Sequence, residues 1–462
     1  MLPLASETGY SRKSPLTCCT RAVVRVLHST VARGLIFRHI EPIIGVLSRA
    51  RQREHGSIPG YGGSARIGLH KMSKWPVLLL IESLGHGGCE RDATKIAVGL
   101  DRNRFEPHIA AFHTGGFLTA QLEAAGVPIL SLPLRSFVNS SAVLAARKMG
   151  AYIRRHGIQL VHAFDVPSDI FSAPVARWYG VPAVVTSQLS YRSMYVASRR
   201  AALRVTDWLS HRIVTNSQAV AASLRKSAGF PSSKLYLCYN GVDPSDFYPG
   251  PGTRVPEFEG ASLIVGSVCV MRPEKRMDWL LEAFAKISRT EPGLRLLLVG
   301  SGPETPRLVE LRDRLGLREI CHFEPTRPNA ADWMRGMDIF VNASSIESFP
   351  NAVLEAMASG CCVIGSNVGG IPELITHDRD GLVFESTSLP GLTAAIRRAA
   401  GEPELRQRLR QQAVVTAHQR FSMKVTLERT EALYESLLDP RAAVCLEPSA
   451  APPQDGERVH GP

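Results

Sequence analysis

A chain of 462 residues with 44% hydrophobic and 21% charged residues can fill two or three globular domains, and its composition is that of neither a fibrous nor a wholly disordered protein. No apolar run reaches the roughly 18 residues that a membrane-spanning helix needs. The net charge of +12 sits mostly in residues 1–71, where eleven Lys/Arg face three acids, so the body is not strongly basic and no nucleic-acid partner is expected. Nine scattered cysteines form no CxxC or His/Cys cluster, which argues against zinc and reads as reduced thiols in a cytosolic chain. No metal and no cofactor is expected.

In chain order, residues 1–71 are Arg-rich, acid-poor and without period. They read as a targeting peptide, a basic arm, or an extension upstream of a natural start at Met72. From there the pattern is strand, loop, helix, repeated. Strands are predicted at 77–84, 108–114, 128–134, 160–164, 182–188, 212–218 and 234–243, with helical stretches between most of them. The segment 244–260, "PSDFYPGPGTRVPEFEG", is rich in Pro and Gly and reads as a linker. The alternation then restarts, with strands at 262–270, 294–302, 320–325, 338–344 and 361–367. Helices are expected from Arg276, over 306–317, near 330–336, from Pro350 and over 423–438. Two βα halves imply an α/β fold of two Rossmann-like, doubly wound domains facing a central cleft. The expected boundaries are a basic extension 1–71, a first domain 72–250, a second domain 251–422, a closing helix 423–440 and a Pro-rich tail 441–462.

Ligands of open parallel sheets bind beyond the carboxyl ends of the strands, and the chemistry-bearing residues lie there. Gly87 and Gly88, after the first strand, let backbone N–H groups approach an anion or simply make a tight turn. Arg272 and Lys275, after the strand at 262–270, can hold a diphosphate or form a solvated basic turn. Gly300-Ser301-Gly302 lacks a third Gly, so a dinucleotide dehydrogenase is disfavoured.

The stretch "ESFPNAVLEAMASG" (347–360) holds Glu347 and Glu355. Pro350 suits the first helical turn, with Ser348 or Phe349 as cap, and Gly360 suits the stop. Glu355 sits in an apolar helix with no Lys or Arg three or four residues away. A carboxylate buried there needs a partner from elsewhere in the fold or from a ligand. The two glutamates are too far apart for a close catalytic dyad, because five helical residues span ~7.5 Å. They suit two hydroxyl-bearing groups of one extended ligand.

Together these stretches resemble the retaining nucleotide-sugar glycosyltransferases of family 4, with the GT-B fold. The resemblance covers about residues 76–440 and rests on Glu-x7-Glu (Glu347, Glu355) with "GGCE", "VHAFD", "TNSQAV", "YNGVD", "RPEKRMDWLLEAF", "VGSGPE", "GGIPELI" and "DGLVF" in order. It implies that Glu355 binds the donor ribose and Glu347 the donor sugar. Ser348, Phe349, Pro350 and Asn351 would line sugar and phosphate, with Gly87, Gly88, His162 and Gly300 as further contacts. Lys275 and Arg272 would stabilise the diphosphate. In the family an Arg usually stands where this chain has Val270, and a His where it has Gln188 at the strand end near the reacting centre. Gln188 cannot act as a general base. The expected activity is transfer of a hexose-type sugar from a UDP-, GDP- or ADP-sugar to a glycan or lipid-linked acceptor, without a metal. A 2-epimerase of the same fold and a non-catalytic nucleotide-sugar binder are the alternatives. The stretch 134–157, with Arg135, Arg147, Lys148, Arg154 and Arg155, reads either as an ordinary helix with a solvated basic face or as a peripheral contact for the cytoplasmic membrane face.

Overall fold

A computed structural model describes residues 74–439 apart from His86, Ala228, Arg327 and Pro328. The expectations for residues 1–71, for a start at Met72 and for the tail 441–462 lie outside the described residues.

The first sheet has seven parallel strands: β1 (Trp75–Ser83), β2 (Phe105–His113), β3 (Ile129–Ser131), β4 (Leu160–Ala163), β5 (Ala183–Ser187), β6 (Arg212–Thr215) and β7 (Leu235–Leu237). Their order is β3-β2-β1-β4-β5-β6-β7. β1 shows why the sequence reads as a buried parallel strand: Val77, Leu78, Leu79, Leu80 and Ile81 are all fully buried, so both faces are covered and no alternation is seen. The second sheet has six: β8 (Leu263–Val268), β9 (Leu294–Val299), β10 (Cys321–Glu324), β11 (Ile339–Asn342), β12 (Cys362–Ser366) and β13 (Leu382–Phe384), in the order β10-β9-β8-β11-β12-β13. Every strand predicted from sequence is present. β13, three residues long, was not anticipated as a strand.

Each sheet reverses its winding once. In the first, β1 lies between β2 and β4; in the second, β8 lies between β9 and β11. At such a switch point the loops leaving the two neighbouring strands part in opposite directions and open a crevice. The loops so placed are those after β1 and β4, and those after β8 and β11.

Residues 244–260 are not a free tether. Phe247, Val255 and Phe258 are buried in the core that also holds Ile264, Phe340 and Leu354. The helix Met423–Leu438 returns to the first sheet. There Tyr434 is fully buried in the cluster of Val77, Leu79 and Phe105, and Glu431 pairs with Arg104 at 2.6 Å.

Residues 133–145 fall in a different compact unit from 69–132 and 146–439, which hold both sheets. Within it, Ser141 Oγ accepts from the backbone N–H of Arg135 and Ser136. The helix Ser140–His156 exposes Arg147, Lys148, Arg154 and Arg155, a solvated basic face as either reading of that stretch requires. Among the described residues no helix is long and apolar enough to cross a membrane, and the six described cysteines are free.

Candidate active site

The loop after β8 and the loop after β11 carry the two basic and acidic residues singled out above. They are 72 positions apart in sequence, yet Lys275 Nζ lies 2.6 Å from Glu347 Oε2. The switch point unites them, because β8 and β11 are neighbours in the sheet. Backbone contact fixes the two loops further: Ser345 N donates to Glu274 O at 2.8 Å. Ser344 Oγ donates to the same Glu347 oxygen at 3.0 Å. Both partners of the ion pair are mostly buried, with side-chain exposures of 22% and 13%. Arg272, expected beside Lys275, is exposed.

The backbone at Glu347 and Ser348 is held from behind by Gly369 and Gly370. Gly369 has φ +55°, and a Cβ there would overlap the Glu347 carbonyl oxygen; a Cβ on Gly370 would meet the Ser348 carbonyl. No other residue type allows the two chains to approach so closely. Gly300 follows β9 with φ +131°, and a Cβ would overlap the Cys269 carbonyl oxygen, so its lack of a side chain shapes the loop after β8.

The helix Asn351–Ala358 begins one residue later than predicted: Pro350 is its N-cap, and no side chain caps it. Pro leaves no N–H of its own at this end, and apart from Val353 N–H, which donates to Pro350 O at 3.0 Å, the first-turn N–H groups have no side-chain capping oxygen, which suits an anion. Phe349 points into the core, its ring 5.4 Å from Tyr239 and 5.8 Å from Phe421, so only its backbone is available to a ligand.

Glu355 is buried, as its apolar neighbours imply, with only 5% exposure. Its partner comes from elsewhere in the fold: Arg91 Nη1 lies 2.9 Å from Oε1. One helical turn before it on the same face, Asn351 Nδ2 donates to Asp92 Oδ2 at 3.3 Å, and Asn351 Oδ1 accepts from Asn240 Nδ2 at 2.8 Å. Burial pushes the Asp92 carboxyl up to about 6. Arg91 and Asp92 lie on the helix Gly88–Gly99, capped by Gly87 without a side-chain bond. A Cβ on Gly88 would stand 3.5 Å from Asn351 Nδ2, so the glycine loop after β1 faces the Glu355 helix. A second contact joins the halves: Glu373 accepts from the N–H groups of Gln218 and Ala219 and from Tyr239 O–H, at 2.8–2.9 Å.

Two of the expected site residues, His162 and Gln188, are buried. His162 is buried with both ring nitrogens engaged, Nδ1 with Tyr434 O–H at 2.7 Å and Nε2 with Ser187 Oγ at 2.8 Å. Burial lowers its pKa to about 3. Both ring nitrogens are thus engaged within the protein. Gln188 is equally buried: Nε2 donates to Asp169 Oδ2 at 2.9 Å, and Oε1 accepts from Arg192 Nε at 2.9 Å. Arg192 is in turn paired with Asp207. Burial raises the Asp169 pKa well above the usual range. The amide thus links Asp169 to Arg192. Arg91, Asp92 and Asn240 were not singled out. Arg91 and Asp92 directly follow the quoted "GGCE", but nothing local marks them as facing a helix some 260 residues away.

Two family descriptions match the chain: Glycosyltransferase Family 4 over residues 86–246 and Glycosyl transferases group 1 over residues 262–402. The chain belongs to the group 1 glycosyltransferases of family 4. Among curated relatives of this glycosyltransferase, the N-acetyl-alpha-D-glucosaminyl L-malate synthase of Bacillus anthracis is 25% identical over 308 residues, covering 63% of this chain and 78% of that one. The D-inositol 3-phosphate glycosyltransferase of Kribbella flavida is 30% identical over 246 residues, covering 50% of this chain and 58% of the relative. The chain thus spans little more than half of that relative's length. Anabaena HepE, solved with UDP and glucose, superposes with a TM-score of 0.68 at 21% identity, over 78% of this chain and all of HepE, which establishes the GT-B fold.

Proposed function

We propose that this protein is a retaining glycosyltransferase that moves a hexose-type sugar from a nucleotide diphosphate sugar to a hydroxyl of a glycan or lipid-linked acceptor. One observation carries the reading: at the switch point of the second sheet, Lys275 and Glu347 meet beside an uncapped helix N-terminus, with Glu355 buried on that helix. A diphosphate takes the helix N–H groups and Lys275, Glu347 takes sugar hydroxyls, and Glu355 takes the ribose diol. Lys275 already holds Glu347, so the donor inserts into this pair or shares its cation. Arg272, being exposed, is free to approach the phosphates.

When the anomeric C–O bond to phosphate breaks, negative charge grows on the diphosphate, and Lys275 with the helix N–H groups stabilises it. The acceptor oxygen bonds the anomeric carbon on the same face, and its proton passes to the departing phosphate oxygen. Gln188 takes no part, because both ends of its amide are occupied. No metal is required. Contact with an anionic membrane face through the exposed Arg147, Lys148, Arg154 and Arg155 is part of the same reading. It predicts weak, salt-sensitive co-sedimentation of the protein with anionic vesicles.

The test is nucleotide release from UDP-, GDP- and ADP-sugars, with glycans, lipid-linked sugars, L-malate and inositol 3-phosphate as acceptors, followed by assignment of the anomeric configuration of the product. Release that depends on acceptor, with retention, is expected, and it persists in EDTA. An inverted product, an epimerised sugar formed from donor alone, binding without turnover, or activity abolished by EDTA and restored by Mn²⁺ or Mg²⁺ refutes the proposal.

A further inference from the structure

The Glu355 helix carries no cation, and Glu355 is nearly buried. A carboxylate in such a place takes up a proton unless a charged partner offsets the loss of water. The partner here belongs to the other half of the molecule. The closest approach is Arg91 Nη1 to Oε1 at 2.9 Å, and no hydrogen bond to Oε2 is found among the described residues. Arg91 Nε is itself buried without an acceptor among the described residues, so the guanidinium keeps a donor that a ligand oxygen can use. A simple strut between the halves would favour the two-pronged contact that Arg and carboxylate readily make. This pair is joined by one prong, with an acceptor oxygen and a donor nitrogen both left over.

We infer that Arg91 is a positioning residue for donor binding, holding Glu355 as an anion through Oε1 so that Oε2 can accept from a hydroxyl pair of the nucleotide. This rests on the proposed ribose role of Glu355. It adds that the donor site in the second half is completed by the first: the helix that follows the glycine loop supplies Arg91 to Glu355 and Asp92 to Asn351. The charged groups facing this seam are Arg91 and Asp92, with Asp246 acting on Arg91 and Lys95 on Asp92. None of the basic ones lies on the Glu355 helix.

The experiment titrates UDP and GDP into the full-length wild type and into Arg91→Gln, Arg91→Lys, Glu355→Gln and the Arg91→Gln/Glu355→Gln double variant, from pH 6 to 9, with a ligand-free melt of each. Without the cation, the buried carboxylate loses the partner that positions it. Arg91→Gln therefore binds about tenfold more weakly. Arg91→Lys keeps the charge and binds within about threefold of wild type, which also covers the case in which Arg91→Gln fails to fold. In the Glu355→Gln background, Arg91→Gln adds no further loss. If Glu355→Gln binds like wild type, the ribose role itself fails and this inference goes with it. If Glu355→Gln binds weakly while Arg91→Gln matches wild type at every pH, the ribose role stands and Arg91 is only a strut. A full loss in Arg91→Lys equal to that in Arg91→Gln likewise overturns the inference.

Discussion

Replacing Glu347 by Gln separates its two partners. In the ligand-free protein Glu347 accepts from Lys275 at 2.6 Å and from Ser344 Oγ at 3.0 Å, with less than a quarter of either charged side chain exposed. A charge-assisted hydrogen bond between groups so little exposed is worth ~1.5–3 kcal/mol. At ~2 kcal/mol the melting temperature of Glu347→Gln falls by about 4–8 °C. The same change frees Lys275, whose ammonium then has no anion but the ligand's, so affinity for free UDP or GDP is kept or rises. Turnover moves the opposite way: losing a charged acceptor to the transferred sugar slows it by about tenfold to a hundredfold. Calorimetric titration, thermal melts and nucleotide-release kinetics on the same samples give all three numbers. A lower melting temperature with unchanged turnover makes the Lys275–Glu347 pair structural only. A fall in free-nucleotide affinity that matches the fall in turnover removes Glu347 from the sugar.

Gly369→Ala puts a Cβ onto the Glu347 carbonyl at a residue with φ +55°, so it costs on the order of 1–3 kcal/mol in backbone strain and also lowers turnover by shifting the loop; wild-type melting and kinetics would show that the loop yields freely. His162 has its pKa depressed to about 3, so the folded state binds fewer protons than the unfolded one between there and about 6.5, and this group's stabilisation, complete above 6.5, is lost as pH falls. His162→Phe is therefore less stable at neutral pH, having lost the bonds to Tyr434 and Ser187, but its melting temperature falls less steeply in acid; parallel curves would contradict the assignment. Gln188→Ala lowers stability by removing the donor to Asp169 Oδ2 yet leaves kcat near that of the wild type, and a large fall in kcat with an unchanged melting temperature would restore Gln188 to the chemistry.

Much of this was legible in the chain because its signals are local. Buried parallel strands such as Val77–Ile81 are unbroken apolar runs, and the Gly and Pro loops between them mark the turns. The acid inside "VLEAMA" is visible as an anomaly without any fold. What could not be read was which distant side chain answers it. Arg91 meets Glu355 only because two helices from different sheets face each other, and no periodicity encodes that. The partners of His162 and Gln188 were hidden for the converse reason. A polar residue at a strand end is ambiguous until its neighbours are known, and here Tyr434, from the last helix, and Asp169, from the helix after β4, use up their polar atoms. The start of the Glu355 helix was off by one residue because proline's fixed φ suits either the cap or the first helical position, and ψ decides between them; here ψ is +99°, which makes Pro350 the cap.

The placement of these residues also bears on where the acceptor proton goes. A base acting in the proposed reaction needs a free lone pair near the cleft. At the ends of β4 and β5 the candidates are His162, Asp165, Asp169 and Gln188. His162 is locked between Tyr434 and Ser187. Asp165 caps the helix Val166–Trp178 through Ser168 N–H and holds Glu82 N–H at 2.7 Å. Asp169 is bonded to Gln188, and Gln188 to Arg192. Each group is held by the elements around it, so together they tie β1, β4, β5 and the helices behind them into one wall. In the proposed reaction this wall orients the acceptor and the departing diphosphate oxygen takes its proton. Under that proposal the oxygen lies on the face the sugar leaves from, so the acceptor arrives on the same face and the product keeps its anomeric configuration.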